Sequence, residues 1–185
     1  MNSGLIANRY AQAFNEYLKG RGDADKVYQQ ARVVLSAMGR LPKFRLALTD
    51  ARAVSMERKL ELLSASVDPQ PLCPEFGTLL ELMQRNGRSE FFRLTLLDFL
   101  NIYREEHGLV MVQLTTAGEQ GDLVPLVTDL VSRKTGKTAI VNRKVDPDII
   151  GGFIYESWGT RLDASVRRSL DDLRDELIEI NRRLV

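Results

Sequence analysis

One cysteine, one histidine and one tryptophan occur in 185 residues, and each scarcity removes a class of protein. The single thiol, Cys73, cannot form an internal disulfide, which suits a reducing compartment. The single histidine, His107, has no second histidine or paired cysteine to share a metal with, so no metal is expected. It stands just before Gly108, where a cation at a helix C-terminus is favoured by the helix dipole. Cys73 lies in a proline-flanked loop with no histidine nearby to act as a base, so nucleophilic catalysis has no constellation to work with. No run reaches the roughly 20 apolar residues that a membrane span requires. Residues 1–14 lack both the basic flank and apolar core of a secretory signal and the Arg- and Ser-rich character of a transit peptide. A net charge of +1 leaves no broad basic face for nucleic acid or anionic lipid.

What remains is the composition of an ordinary soluble protein, 44% apolar and 28% charged. Its length fits one large domain or two small ones. The first part has helical periodicity throughout. Leu5, Ile6, Tyr10, Ala13, Phe14, Tyr17 and Leu18 share one stripe, closed by Gly20 and Gly22. Val27, Ala31, Val34, Leu35 and Met38 make the next, ended by Gly39. Pro42 opens a short helix through Leu48, and residues 53–65 give another with Val54, Leu60 and Leu63 inside. After the break at 68–71, Pro74 starts a helix carrying Phe76, Leu79, Leu80 and Met83, stopped by Gly87. Phe92, Leu96, Phe99, Leu100 and Tyr103 form the last stripe before Gly108. Six helices with short connections can bury a common core, so residues 1–105 are expected to form a helical bundle.

The period changes after Gly108. Residues 109–116 read as a β-branched strand, 123–134 as a helix and 139–145 as a second strand. Residues 152–155 and 160–162 suggest a hairpin, and Asp163 is placed to cap a final helix over 164–184. Val166, Leu170, Leu173, Leu177, Ile180 and Leu184 recur on that helix at alternating spacings of four and three. The opposite face is charged, with Arg167–Asp171, Arg168–Asp172 and Glu179–Arg183 at supporting distance. The stripe is expected to cover its own domain's sheet, with an open seam for a partner helix as the alternative. The fold class is therefore mainly α with a small α+β part: a helical domain at 1–105 followed by a smaller α+β domain at 109–185.

Two features invite a catalytic reading and do not support one. Gly136-Lys137-Thr138 ends like a phosphate-binding loop, but position 131 is Val where that loop needs glycine, and the turn follows a helix and precedes a strand. Gly151-Gly152 is better suited to a close backbone approach at a strand start than to a phosphate cradle. No cofactor is expected. The residues themselves leave two classes open, a generic helical adaptor for amphipathic helices and a nucleotide-dependent enzyme built on residues 136–138.

Motifs spread along the chain resemble those of the ATP synthase delta subunit family, whose mitochondrial homologue is the oligomycin-sensitivity-conferring protein. Ala7-x-Arg9-Tyr10-Ala11-x-Ala13 is similar to the family's opening helix, and Leu79-Leu80-x-Leu82-Met83 followed by Asn86-Gly87-Arg88 to its fifth. Thr115-Thr116-Ala117 matches the exit of its first C-terminal strand. The most specific block is Gly151, Gly152 and then Asp163-x-Ser165-Val166-Arg167, with Ala164 where the family usually has glycine. Ser157-Trp158-Gly159-Thr160 replaces the more usual glycine-polar hairpin tip.

The resemblance implies a non-catalytic subunit, one copy per complex, in the peripheral stalk on the cytoplasmic side of a bacterial membrane. It implies a six-helix N-terminal domain that grips the N-terminus of an alpha subunit between helices one and five. On this chain that groove maps to Ala7, Tyr10, Ala11, Phe14, Leu79, Leu82, Met83 and Asn86. It also implies a C-terminal domain that holds the C-terminus of the b subunit.

Overall fold

The computed structural model describes residues 3–21, 24–118, 123–157 and 159–184. Gly22, expected as a helix stop, and Trp158, expected at a hairpin tip, lie outside the described residues, as do the side chains of Arg183 and Leu184. The chain is mainly α with a small four-stranded sheet, and it divides into two compact units, Met1–Glu106 and His107–Val185.

The first unit holds α1 (Ser3–Lys19), α2 (Ala24–Arg40), α3 (Pro42–Thr49), α4 (Met56–Val67), α5 (Glu75–Arg85) and α6 (Phe92–Glu106), with a 3-10 turn at Ser89–Phe91. Its core follows the apolar periodicity. Ala7, Ala11, Phe14 and Leu18 of α1, and Val27, Ala31, Val34 and Met38 of α2, recur at helical spacing and are all buried. Phe14 is wedged between two helices. Its ring centroid lies 6.3 Å from Phe76 of α5 and 5.1 Å, edge-on, from Phe99 of α6. Tyr28 of α2 stacks on Tyr103 of α6 at 4.3 Å, and the Tyr103 hydroxyl donates to Asp25. Burial and the Asp25 carboxylate both push the Tyr103 phenol above its ordinary range. Lys59 is fully buried, with its Nζ donating to Gln84 Oε1 at 3.0 Å; desolvation lowers its pKa, against a smaller opposing pull from Asp50.

Local chemistry sets the helix ends. α5 closes in a Schellman motif: the Arg88 amide donates to Met83 O at 2.8 Å and the Gly87 amide to Gln84 O at 3.0 Å, with Gly87 at φ 65. The fourth helix does not start at residue 53. Ser55 Oγ accepts from the Arg58 amide at 3.3 Å, so this cap fixes the start at Met56 and leaves Val54 outside the helix.

The second unit holds β1 (Leu109–Thr116), α7 (Leu123–Thr135), β2 (Thr138–Val145), β3 (Gly152–Ser157), β4 (Thr160–Ser165) and α8 (Val166–Leu184), with a 3-10 turn at Pro147–Ile149. The strand order is β2-β1-β3-β4. β1 and β2 are parallel, so a crossover must join them, and α7 is that crossover. β1–β3 and β3–β4 are antiparallel. Val110, Val112 and Leu114 alternate onto one face and pack against Val127 and Val131 of α7. Gly136, at φ 67, turns α7 into β2, so residues 136–138 form a helix-to-strand connection.

Two expectations fail here. Asp163 does not cap the last helix. The hairpin strands run longer than their apolar cores, β4 continues to Ser165, and the Ser165 Oγ accepts from the Arg168 amide at 3.2 Å. The helix also does not cover its own sheet. Val166, Leu170, Leu173, Leu177 and Ile180 are all exposed, Leu177 by 66%. The reason lies at the junction: β4 ends at Ser165 and α8 begins at Val166, leaving no residue to turn the helix back over the strands.

Candidate functional site

The eight residues assigned to a groove between the first and fifth helices fall into two sets. Ala7, Ala11 and Phe14 of α1 and Leu79 and Met83 of α5 are buried core positions. Leu82 is 45% exposed, Asn86 is exposed and Tyr10 is half-buried. Two of the outer set, Tyr10 and Asn86, meet. Asn86 Nδ2 donates to the Tyr10 hydroxyl at 2.9 Å, and the Arg88 guanidinium stands 5.9 Å from the Tyr10 ring centroid. Of the eight, Tyr10, Leu82 and Asn86 are the accessible ones, and the other five belong to the core beneath them. Spacing could not separate the two sets, because i and i+3 neighbours share a face whether or not another element covers them.

The C-terminal signature assembles into one junction. Gly152 pairs with Ser165 in the β3–β4 register. Asp163 Oδ1 accepts from the Ser165 amide at 3.1 Å, and the Val166 amide donates to Gly151 O at 3.0 Å. A Cβ on Gly151 would sit 3.0 Å from Val166 Cγ2, and one on Gly152 only 2.2 Å from Ala164 O. Arg167 Nη1 donates to Asp148 O at 3.1 Å. Hydrogen bonds from Ser165 hold the Asp163 carboxyl below its usual range, helped by Arg161 and Arg168 against a desolvation cost. The signature residues therefore launch α8 in a fixed direction with its apolar stripe bare.

Ile150 was not singled out from the sequence. It takes φ 68 and ψ −42, and the Gly151 amide donates to Ile149 O at 2.8 Å across it. This is the strained form of the γ-turn, held by a β-branched residue whose side chain is 60% exposed. The signal was the apolar residue immediately before Gly151-Gly152, at a place where the chain must reverse. Ile150→Gly is expected to raise stability by about 1 kcal/mol, the relieved strain exceeding the added flexibility of the unfolded chain. Urea denaturation checks this, and a destabilised variant would show that the Ile150 side chain contributes more than its backbone costs.

Among the described residues no group of three or more His, Cys, Asp or Glu is arranged to hold a metal ion. No described helix is long and apolar enough to cross a membrane.

Sequence comparison identifies the class of protein that carries these features. Residues 6–177 match the family model described as ATP synthase delta (OSCP) subunit. The chain is 31% identical to the ATP synthase subunit delta of Phocaeicola vulgatus, with full coverage of both chains. It is 30% identical to that of Bacteroides fragilis strain YCH46, again over the whole of each. A chain in the cryo-EM structure of the Toxoplasma gondii mitochondrial ATP synthase hexamer has the same fold, with a TM-score of 0.62 at 24% identity over 94% of this chain and 97% of that one. The chain belongs to the ATP synthase delta (OSCP) subunit family. With membership comes the family's role, a non-catalytic component of the peripheral stalk of an F-type ATP synthase. The generic adaptor and the nucleotide-dependent enzyme are thereby set aside.

Proposed function

We propose that the two units are two grips. The six-helix first unit takes the N-terminal segment of an alpha subunit over Tyr10, Leu82 and Asn86, above the floor formed by Ala7, Ala11, Phe14, Leu79 and Met83. The second unit holds the C-terminal end of the b subunit, through the seam that α8 presents. The complex then lies at the cytoplasmic side of the membrane, with this chain peripheral to it. The observation that carries the reading is the exposed stripe Val166, Leu170, Leu173, Leu177 and Ile180 on a helix whose first turn is pinned. A stripe with heptad-like spacing and no intramolecular cover is the form expected of a helix that packs on another helix. A torque-resisting link calls for slow dissociation, which buried apolar anchors provide.

Leu82→Asp is the test of the first grip. Leu82 is already half in solvent, so stability should change by no more than about 0.5 kcal/mol. Binding of a peptide covering the alpha N-terminus of the same organism should weaken by about tenfold or more, as for loss of an interface anchor. A fragment of residues 1–106 should bind that peptide like the full chain and should not capture b. Ala11 is the wrong position for such a test: it is fully buried, and a bulky charged side chain there would damage the core before it touched a partner. Unchanged peptide affinity in Leu82→Asp, with chemical-shift changes in residues 123–184, would move the alpha site to the other unit.

A further inference from the structure

Lys59 of α4 is a fully buried lysine that neither grip touches. An ammonium has three protons to donate, and among the described residues Gln84 Oε1, at 3.0 Å, is the acceptor that this one reaches. No described carboxylate pairs with it, and Asp50 acts on it only as a weaker charge effect against the cost of burial. An apolar side chain of the same length would avoid that cost, and replacing a buried charge by a well-packed apolar group is often neutral or stabilising. The reason for a lysine here therefore lies in what its ammonium holds. It holds the last turn of α5. Near the start of α5, Gly77 has no side chain and lets Leu60 of α4 close in: a Cβ on Gly77 would stand 3.3 Å from Leu60 Cδ2. Two turns further along the helix, about 10 Å away, the neighbouring Lys59 donates to Gln84. Residues 77 and 84 share a face of α5, so α4 fixes that helix at both ends of the face.

Gln84 stands where the accessible residues of the α1–α5 site are set. Its carbonyl accepts the Gly87 amide at 3.0 Å in the turn that ends α5. That turn carries Asn86, which donates to the Tyr10 hydroxyl, and Arg88, which stands near the Tyr10 ring. The Asn86 amide in turn donates to Leu82 O at 3.2 Å, so Leu82 belongs to the same closing turn. We propose that Lys59 is a positioning residue: its bond to Gln84 holds the end of α5 so that Leu82 and Asn86 present themselves to the partner together with Tyr10. The inference rests on the reading of these three residues as the alpha grip and adds the buried group that sets them. Lys59 touches no partner itself, because it is wholly enclosed, and its effect reaches the surface through half-buried Gln84. A contact surface fixed before binding loses less freedom when the alpha segment docks, so affinity depends on a bond that lies beneath it.

Lys59→Met keeps the length and bulk of the side chain and removes the ammonium. In the full chain it should leave the urea midpoint unchanged or raise it, while binding of the alpha N-terminal peptide weakens by about fivefold or more. Capture of a b-subunit fragment should be unaffected. In the free variant the resonances of the Tyr10 ring and the Asn86 side-chain amide should shift, and the Gly87 and Arg88 amides should exchange faster. Gln84→Leu should reproduce the loss of affinity, and the double variant should lose no more than either alone, as for two ends of one bond. Gln84→Glu keeps an acceptor for Lys59 and should retain most of the affinity. A Lys59→Met chain with wild-type affinity overturns the inference, as does additive loss in the double variant. So does a lowered midpoint with an affinity loss that vanishes once the unfolded fraction is allowed for, because Lys59 would then hold the fold rather than the grip. If the wild-type chain binds no alpha peptide, the reading of the first grip fails by itself. The Tyr10 and Asn86 shifts in free Lys59→Met then decide the inference: their presence supports the positioning role, and their absence overturns it.

Discussion

Phe14→Ala is expected to lower the stability of the chain by about 3–5 kcal/mol, the range for truncating a buried aromatic. Phe14 is buried between α5 and α6, touching Phe76 and Phe99, and its removal leaves a void that three helices would have to move to close. Set against a total stability of roughly 5–15 kcal/mol, the loss would bring the first unit near its unfolding threshold. The experiment is urea denaturation followed by circular dichroism, with alpha-peptide affinity measured under conditions where the variant is still folded. The pairing with Leu82→Asp matters. Phe14→Ala should cost stability and leave the affinity of the folded fraction close to normal, whereas Leu82→Asp should do the reverse. If Phe14→Ala removed affinity at full stability, Phe14 would be a surface contact, and the division of the groove residues into floor and rim would be wrong.

That division marks the limit of what the sequence could convey about the first unit. The helices were legible because their apolar spacings and glycine stops agree: Gly87 and Gly108 both take the positive φ that a helix C-terminus favours. The start of α4 was misplaced because Ser55 outweighs the periodicity of the preceding residues. In the second unit, the signature residues were identified but not their arrangement. Asp163 looked like a cap because it precedes an apolar-periodic run. Only the strand pairing of Ile154 with Asp163 and of Gly152 with Ser165 shows that β4 continues past it. The bare stripe of α8 was not decidable from spacing, since a heptad-like pattern is the same whether it faces a sheet or a partner. The deciding fact is the absence of a linker after β4.

Gly152→Ala should do the most damage in the second unit, through a single methyl group. Two independent penalties act at this position. The backbone sits at φ +74, a conformation that costs a residue with a Cβ of the order of 1–3 kcal/mol. The added Cβ would also lie 2.2 Å from Ala164 O and 3.2 Å from Ala164 C, both backbone atoms of the paired strand, so no side-chain rotation relieves the clash. The hairpin must therefore open at the Gly152–Ser165 pair, which is also where Gly151 O receives the Val166 amide that starts α8. The expected result is a loss of more than about 3 kcal/mol from the second unit, seen as early exchange of the β3 and β4 amides. The amides of α1 to α6 should keep their protection if the two units unfold independently. b capture should fall with the hairpin while alpha-peptide binding persists. Gly151→Ala is the control: its Cβ meets Val166 Cγ2 at 3.0 Å, the tip of a side chain that can shift, and Gly151 has no positive φ, so the effect should be clearly smaller. Equal damage from the two substitutions would mean that crowding against α8, rather than the backbone of the hairpin, sets the requirement for glycine at this junction.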